Sequence, residues 1–95
     1  PIKISEWGPP MEKLVYILFA KIKDGFQVIY VSEVEKTEQK DFFTQNEKSK
    51  CWIQHTGSEE LLYLAIYPMT NSIENERQKV VQKIISKYKP SCNTD

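Results

Sequence analysis

The stretch "LVYILFA", residues 14–20, is apolar at every position. Laid out as a strand, it turns Leu14, Tyr16 and Leu18 to one side and Val15, Ile17 and Phe19 to the other. Such a strand cannot meet water on either side, so it must lie inside a sheet that is covered twice. It is far shorter than the ~20 apolar residues a membrane helix needs, and so is "LLYLAIY", residues 61–67. No association with a membrane is expected. No basic segment followed by an apolar one opens the chain, so no secretory signal is expected. The absent initiator Met is consistent with a start already processed or cut.

The remaining segments supply partners and covers for that strand. "KIKDG" separates it from a second β-rich run, "FQVIYVS", and Asp24-Gly25 predicts a hairpin there because Gly takes positive φ cheaply. "VEKTEQKDFFTQNEKSK" is polar with Val34, Phe42 and Phe43 as anchors. It predicts a helix from about Thr37 to Gln45, capped by Thr37 with Lys40 at the third helical position. "CWIQHTGSEE" continues as a short helical or irregular piece ending at Gly57, and "LLYLAIYP" is a third strand stopped by Pro68. Asn71 and Glu74 have capping-box spacing at the head of a last helix. Ile73, Val80, Val81, Ile84, Ile85 and Tyr88 form its apolar stripe, and Pro90 halts it. "PIKISEWGPP" has no period and is expected to be an extended arm over residues 1–12, with Trp7 pinning it to the body. The expectation is one α+β domain over residues 1–95. It has a small, mainly antiparallel three-stranded sheet flanked by helices, in the order β-β-α-(α)-β-α.

Charge and cysteines narrow the chemistry. Thirteen basic residues balance thirteen acidic ones, which argues against strong nonspecific binding of nucleic acid. Cys51 and Cys92 are too few for a disulfide framework and are expected to be free thiols in a reducing, cytoplasmic compartment. A lone bridge from the tail to the middle of the chain is the alternative. Cys51 and His55 make a C-x-x-x-H pair to which Cys92 could add a third ligand, but a zinc site usually takes four such groups. A Cys–His nucleophile pair would lack an orienting Asn or Asp at recognisable spacing. The plainer expectation is that Cys51 and Trp52 anchor a loop while His55 is half exposed. Tyr16, Tyr30, Tyr63 and Tyr67 could share a sheet face, either filling the sheet–helix layer or forming a stacking surface for bases. Arg77, Lys79, Lys83, Lys87 and Lys89 make the last helix basic on its outer side, expected to be a solvated face, with a weak phosphate-contact stripe as the alternative.

With these residues in view, the chain resembles the GIY-YIG nuclease domain from about Leu14 to Asn93. "LVY" at residues 14–16 sits where that family has its first motif, and "YVS" at residues 30–32 where it has its second. The two lie the usual short hairpin apart. The tail "IISKYKPSCN" looks like the family's closing helix, with an aliphatic pair, a basic stretch, a proline and an asparagine. The resemblance implies a metal-dependent phosphodiesterase site on one face of the sheet. Two tyrosines and a helix arginine would organise the scissile phosphate there, and a glutamate on the last helix would hold the metal. Tyr16 and Tyr30 match the tyrosines and Asn93 the terminal asparagine. Lys40 stands for the arginine and Val81 for the glutamate, while Leu14 and Ser32 replace a glycine in each motif.

The departures weigh against catalysis. Val81 offers no oxygen to a hard cation, and Glu74, two helical turns earlier, lies about 10 Å away along the axis. Lys40 keeps a charge but lacks the planar fork that grips two phosphate oxygens, and Ser32 adds a side chain where the family's backbone turns tightly. Loss of the ligand removes the Lewis acid and the activated water together. The expectation is therefore a catalytically degenerate GIY-YIG-like domain, with no metal and no cofactor, acting as a binding or interaction module. Recognition would use the old face around Tyr16, Tyr30, Lys40 and Asn93, with weak residual affinity for nucleic acid. One alternative is an active metal-dependent nuclease with a rearranged site using Glu74, Glu76 or a partner's carboxylate. Another is a protein–protein interaction domain with no nucleic-acid role.

Overall fold

Two long strands and the tight turn between them set the frame. The computed structural model describes residues 2–3, 12–36, 49–57 and 61–93. Along the chain come β1 (Ile2–Lys3), β2 (Glu12–Ile22), β3 (Gly25–Lys36), α1 (Ser49–Thr56), β4 (Leu62–Pro68) and α2 (Glu74–Tyr88), then a 3₁₀ turn at Ser91–Asn93. The strands pair in the order β1-β4-β2-β3, antiparallel throughout. The fold is α+β, and its three long antiparallel strands are those the sequence predicts. The N-terminal arm adds a two-residue edge strand, with Ile2 opposite Leu64 and Lys3 opposite Tyr63. The helix expected over residues 37–45, with Lys40, Phe42 and Phe43, lies outside the described residues, as does Trp7.

In the β2–β3 hairpin Ile22 pairs with Gly25, so Lys23 and Asp24 make the turn, one residue earlier than Asp24-Gly25 suggests. Gly25 opens β3 at φ 151°, a conformation that residues with a side chain rarely adopt. β2 lies between β3 and β4 and is buried on both sides, as its double apolar face requires. Leu14, Tyr16, Leu18 and Ala20 pack with Leu62 and Leu64 of β4, Trp52 of α1 and Cys92. Val15 packs on the opposite face with Val31 and Val81, joined by Ile17, Met69, Val80, Ile84 and Ile85. The pairing slips where Leu18 faces Tyr30 but Phe19 faces Val28, leaving Ile29 as an extra residue on β3. As a result Ile29 and Tyr30, adjacent in sequence, both pack into the α1-side layer.

α2 starts later than its sequence signal. Asn71 takes a left-handed conformation at φ 66° in a turn closed by the Ser72 N–H on the Met69 carbonyl, which an Asn tolerates well. Ile73 is the N-cap residue, and its N–H donates to a Glu76 carboxylate oxygen at 3.0 Å. Glu76 thus does the reciprocal capping that the spacing assigned to Glu74. Lys89 turns left-handed at φ 47°, its N–H returning to the Ile85 carbonyl, and Pro90 follows. Val80, Val81, Ile84 and Ile85 face the sheet as expected, whereas Ile73 and Tyr88, at the two ends of the stripe, are exposed.

Arg77 corrects the picture of a wholly basic outer side, because it is only 2% exposed. Its Nε donates to Glu33 Oε2 of β3 at 3.0 Å, and its Nη1 donates to the Ser72 carbonyl and hydroxyl at 2.9 and 3.0 Å. A buried pair satisfied this way fixes α2 over β3, and removing one member strands the other's charge. Arg77→Met should cost about 3–5 kcal/mol in urea unfolding, with Glu33→Leu added on top recovering most of the loss. A single-variant cost within the error of Lys79→Ala would show that the pair does not hold the helix.

Candidate functional site

The two tyrosines carried by the resemblance do come together. Tyr16 and Ser32 are directly opposite across β2–β3, as are Leu18 and Tyr30, which puts Tyr16 and Tyr30 on one face. Their rings lie 6.1 Å apart, and Tyr30 meets the Trp52 indole at 5.3 Å. This is a packed layer. Tyr16 is 2% exposed and Tyr30 is half-buried beneath α1. Trp52 is fully buried, and its Nε1 has no hydrogen-bond partner among the described residues, so it serves there as an apolar body. Ser32 and Leu14 both lie inside paired strands, with Leu14 opposite Val34 and Pro68, and neither occupies a tight turn.

Among the described residues, the position assigned to the metal ligand does not converge on these rings. Val81 is buried with Val15 and Val31 across the sheet from Tyr16 and Tyr30. Strand alternation dictates this, since Val15 and Tyr16 are neighbours in sequence and must point opposite ways. Lys40 lies outside the described residues. Glu74 and Glu76 are exposed at the start of α2, on the helix that covers the far face, and Glu76 is engaged in capping. A depression of about 430 Å³ lined by Glu12, Lys13, Val34, Glu35 and Lys36 lies at the open end of the hairpin and includes neither tyrosine.

Asn93 has a defined task. Its Oδ1 accepts from the Val31 N–H at 2.8 Å, and its Nδ2 donates to the Val31 carbonyl at 2.9 Å. The side-chain amide thus pairs with the outer edge of β3 as a neighbouring strand would. Both ends of the group expected to bind a ligand are engaged by the chain's own backbone.

One residue earlier, Cys92 is bonded to Cys51, with Cα atoms 5.9 Å apart, so the expected free thiols give way to the lone bridge. Cys51 lies on α1, a helix rather than a loop, and His55 stands exposed one turn further on. The Cys51, His55 and Cys92 ligand atoms lie within 4.8 Å of one another. The bridge joins the α1 layer to a tail arriving from the opposite face, which a spacing of 41 residues cannot disclose.

The four tyrosines split between the two faces. Tyr63 and Tyr67, paired with Phe19 and Val15, stand on the α2 side. There Phe26 meets Tyr63 at 5.1 Å and Phe19 at 6.0 Å, edge to face, and the Lys21 ammonium lies 5.8 Å from the centre of the Tyr63 ring. Phe26 is 44% exposed and Tyr67 57%. Sequence reasoning gave Phe19 and Phe26 no role beyond packing, although Phe26 directly after the turn glycine was the available signal.

The two tail clamps should be separable. Asn93→Ala leaves the Val31 N–H without its partner. It should cost about 1–3 kcal/mol and speed hydrogen exchange at Val31 more than at Ile17. Reducing the bridge reopens a long loop and should remove about 4 kcal/mol of stability by loop entropy. Equal urea midpoints with and without reductant would show that the bridge constrains little.

No family model matches this chain, and neither a curated protein nor a solved structure matches it.

Proposed function

We propose that this chain is a non-catalytic binding module of GIY-YIG-like descent whose recognition surface has moved to the aromatic end of the α2-side face. The observation that carries the reading is the position of Val81. The residue matching the metal-holding glutamate is an aliphatic side chain packed with Val15 and Val31, across the sheet from Tyr16 and Tyr30. A divalent cation there would find neither oxygen ligands nor the tyrosines. The expected use of the old face fares no better, because Tyr16 is core and Tyr30 is packed on Trp52.

Phe19, Phe26 and Tyr63 carry the binding half of the reading. Stacking of bases needs exposed rings next to cations and tolerates any sequence. Phe26 supplies an exposed ring backed by the half-buried Tyr63, Lys21 a cation beside them, and Lys23 a second one in the exposed turn. Single-stranded nucleic acid is the partner this chemistry fits. With no net charge on the chain, the binding is weak and confined to the patch. No helix among the described residues is long and apolar enough to cross a membrane. The cytoplasmic location expected from free thiols loses that support, since a bridged chain fits an oxidising compartment.

The test is anisotropy of labelled single-stranded DNA and RNA against the purified chain at low salt, with and without Mn²⁺, scoring binding and cleavage together. Binding should be metal-independent and weaken by about 5- to 150-fold in Phe26→Ala or Tyr63→Ala, the range expected for one lost stack. Lys21→Ala should lower the salt dependence by about one counterion, and Lys40→Ala should change little. Metal-dependent cleavage would overturn the reading. Absence of any nucleic-acid binding would leave a protein partner for the same exposed rings.

A further inference from the structure

We propose that Cys51, His55 and Cys92 form a thiolate–imidazole site for a zinc-type divalent metal, exposed when the Cys51–Cys92 bridge is reduced. The three ligand atoms already lie within 4.8 Å of one another. Tetrahedral zinc, with bonds of about 2.3 Å to sulfur and about 2.0 Å to nitrogen, holds two sulfurs about 3.8 Å apart and a sulfur and a nitrogen about 3.5 Å apart. The bonded sulfurs must therefore part on reduction, while the imidazole closes in from within 4.8 Å. Cys51 and His55 occupy positions i and i+4 of α1, so they share one helical face. Cys92 is delivered from the other direction by a tail that Asn93 pins to β3 on its own, so the third ligand keeps its place when the bridge is open.

His55 is what a plain bridge does not explain. It is the chain's single histidine, and it stands at the mouth of the sulfur pair rather than in the core. Imidazole and thiolate together suit zinc better than calcium or magnesium, which take oxygen. Three protein ligands leave a fourth position for water, on the side where His55 is exposed.

The bridge is the lock. While Cys51 and Cys92 are bonded to each other neither offers a thiolate, and the site is closed. A dithiol reductant opens it by attacking Cys51 Sγ, the half-buried sulfur, since Cys92 is fully buried. The S–S bond breaks, its electron pair leaves on Cys92 as a thiolate, and Cys51 is held in a mixed disulfide. The second thiol of the reductant then displaces Cys51 and departs as the oxidised disulfide. Two thiols remain on the protein, and the metal releases their protons on binding.

The probe is Co²⁺ alone, added to the full chain before and after reduction by a phosphine, with circular dichroism recorded on each sample. The reduced, folded chain should bind one equivalent and show thiolate-to-cobalt charge transfer together with the visible bands of a tetrahedral ion, both abolished by Zn²⁺. The bridged chain should show neither. His55→Ala, a change at an exposed position, should still form the bridge but bind Co²⁺ at least tenfold more weakly after reduction. Bound metal should slow alkylation of Cys51 by iodoacetamide. No thiolate band in the reduced chain, equal affinity in His55→Ala, or binding only by a chain that has lost its fold would each overturn the proposal.

Discussion

β2 is apolar on both faces, and almost everything else in the structure is placed by the need to cover it twice. α1 covers the side of Leu14, Tyr16 and Leu18, and α2 covers the side of Val15 and Ile17. Each residue of the central strand is thereby committed to one of two cores that never mix. The bulge at Ile29 is where β3 adjusts, placing Ile29 and Tyr30 in the same layer. A functional group can reach a partner across the sheet only by going round an edge.

The tail does go round an edge. α2 packs against one face, and its C-terminal extension passes the outer edge of β3, where Asn93 satisfies the N–H and carbonyl of Val31. Cys92 then enters the layer beneath α1 and bonds to Cys51. Two problems are solved by three residues: an open edge loses a pairing site for another chain, and the tail leaving α2 is covalently fixed within the α1-side core. At the opposite edge the two-residue β1 partly covers β4. Arg77 acts alongside the tail by tying α2 to Glu33, which prevents the helix from sliding along a surface of interchangeable Val and Ile contacts.

Strand identity and the sheet's two-sided burial were legible because they depend on periodicity, which is local. The hairpin was legible to within one residue, and α1's end at Gly57 was visible because Gly takes φ 78° there without a side chain to strain it. What stayed hidden depends on pairing at a distance. Nothing near Arg77 marks it as buried, since its partner Glu33 lies 44 residues earlier in a run that looks like mixed surface charge. The bridge stood only as the alternative to free thiols for the same reason, since the two cysteines lie 41 residues apart. The capping signal at Asn71–Glu74 misled by two residues, because Asn71 satisfies a turn as readily as a cap and only the direction of the entering chain decides between them. The grouping of four tyrosines failed at β4, where register rather than composition assigns Tyr63 and Tyr67 to the α2 side.

These placements explain why a single substitution would not build the metal site that the resemblance implies. A carboxylate at position 81 would be enclosed by Val15 and Val31 with no hydrogen-bond donor at hand among them, so it would favour its neutral form and be a poor ligand for a hard cation. It would also face away from Tyr16 and Tyr30. Those tyrosines are themselves packing elements, and freeing them would expose Trp52 and open the α1 layer. The packing that stabilises the domain would thus also block such a site, so stability and that chemistry oppose each other at position 81.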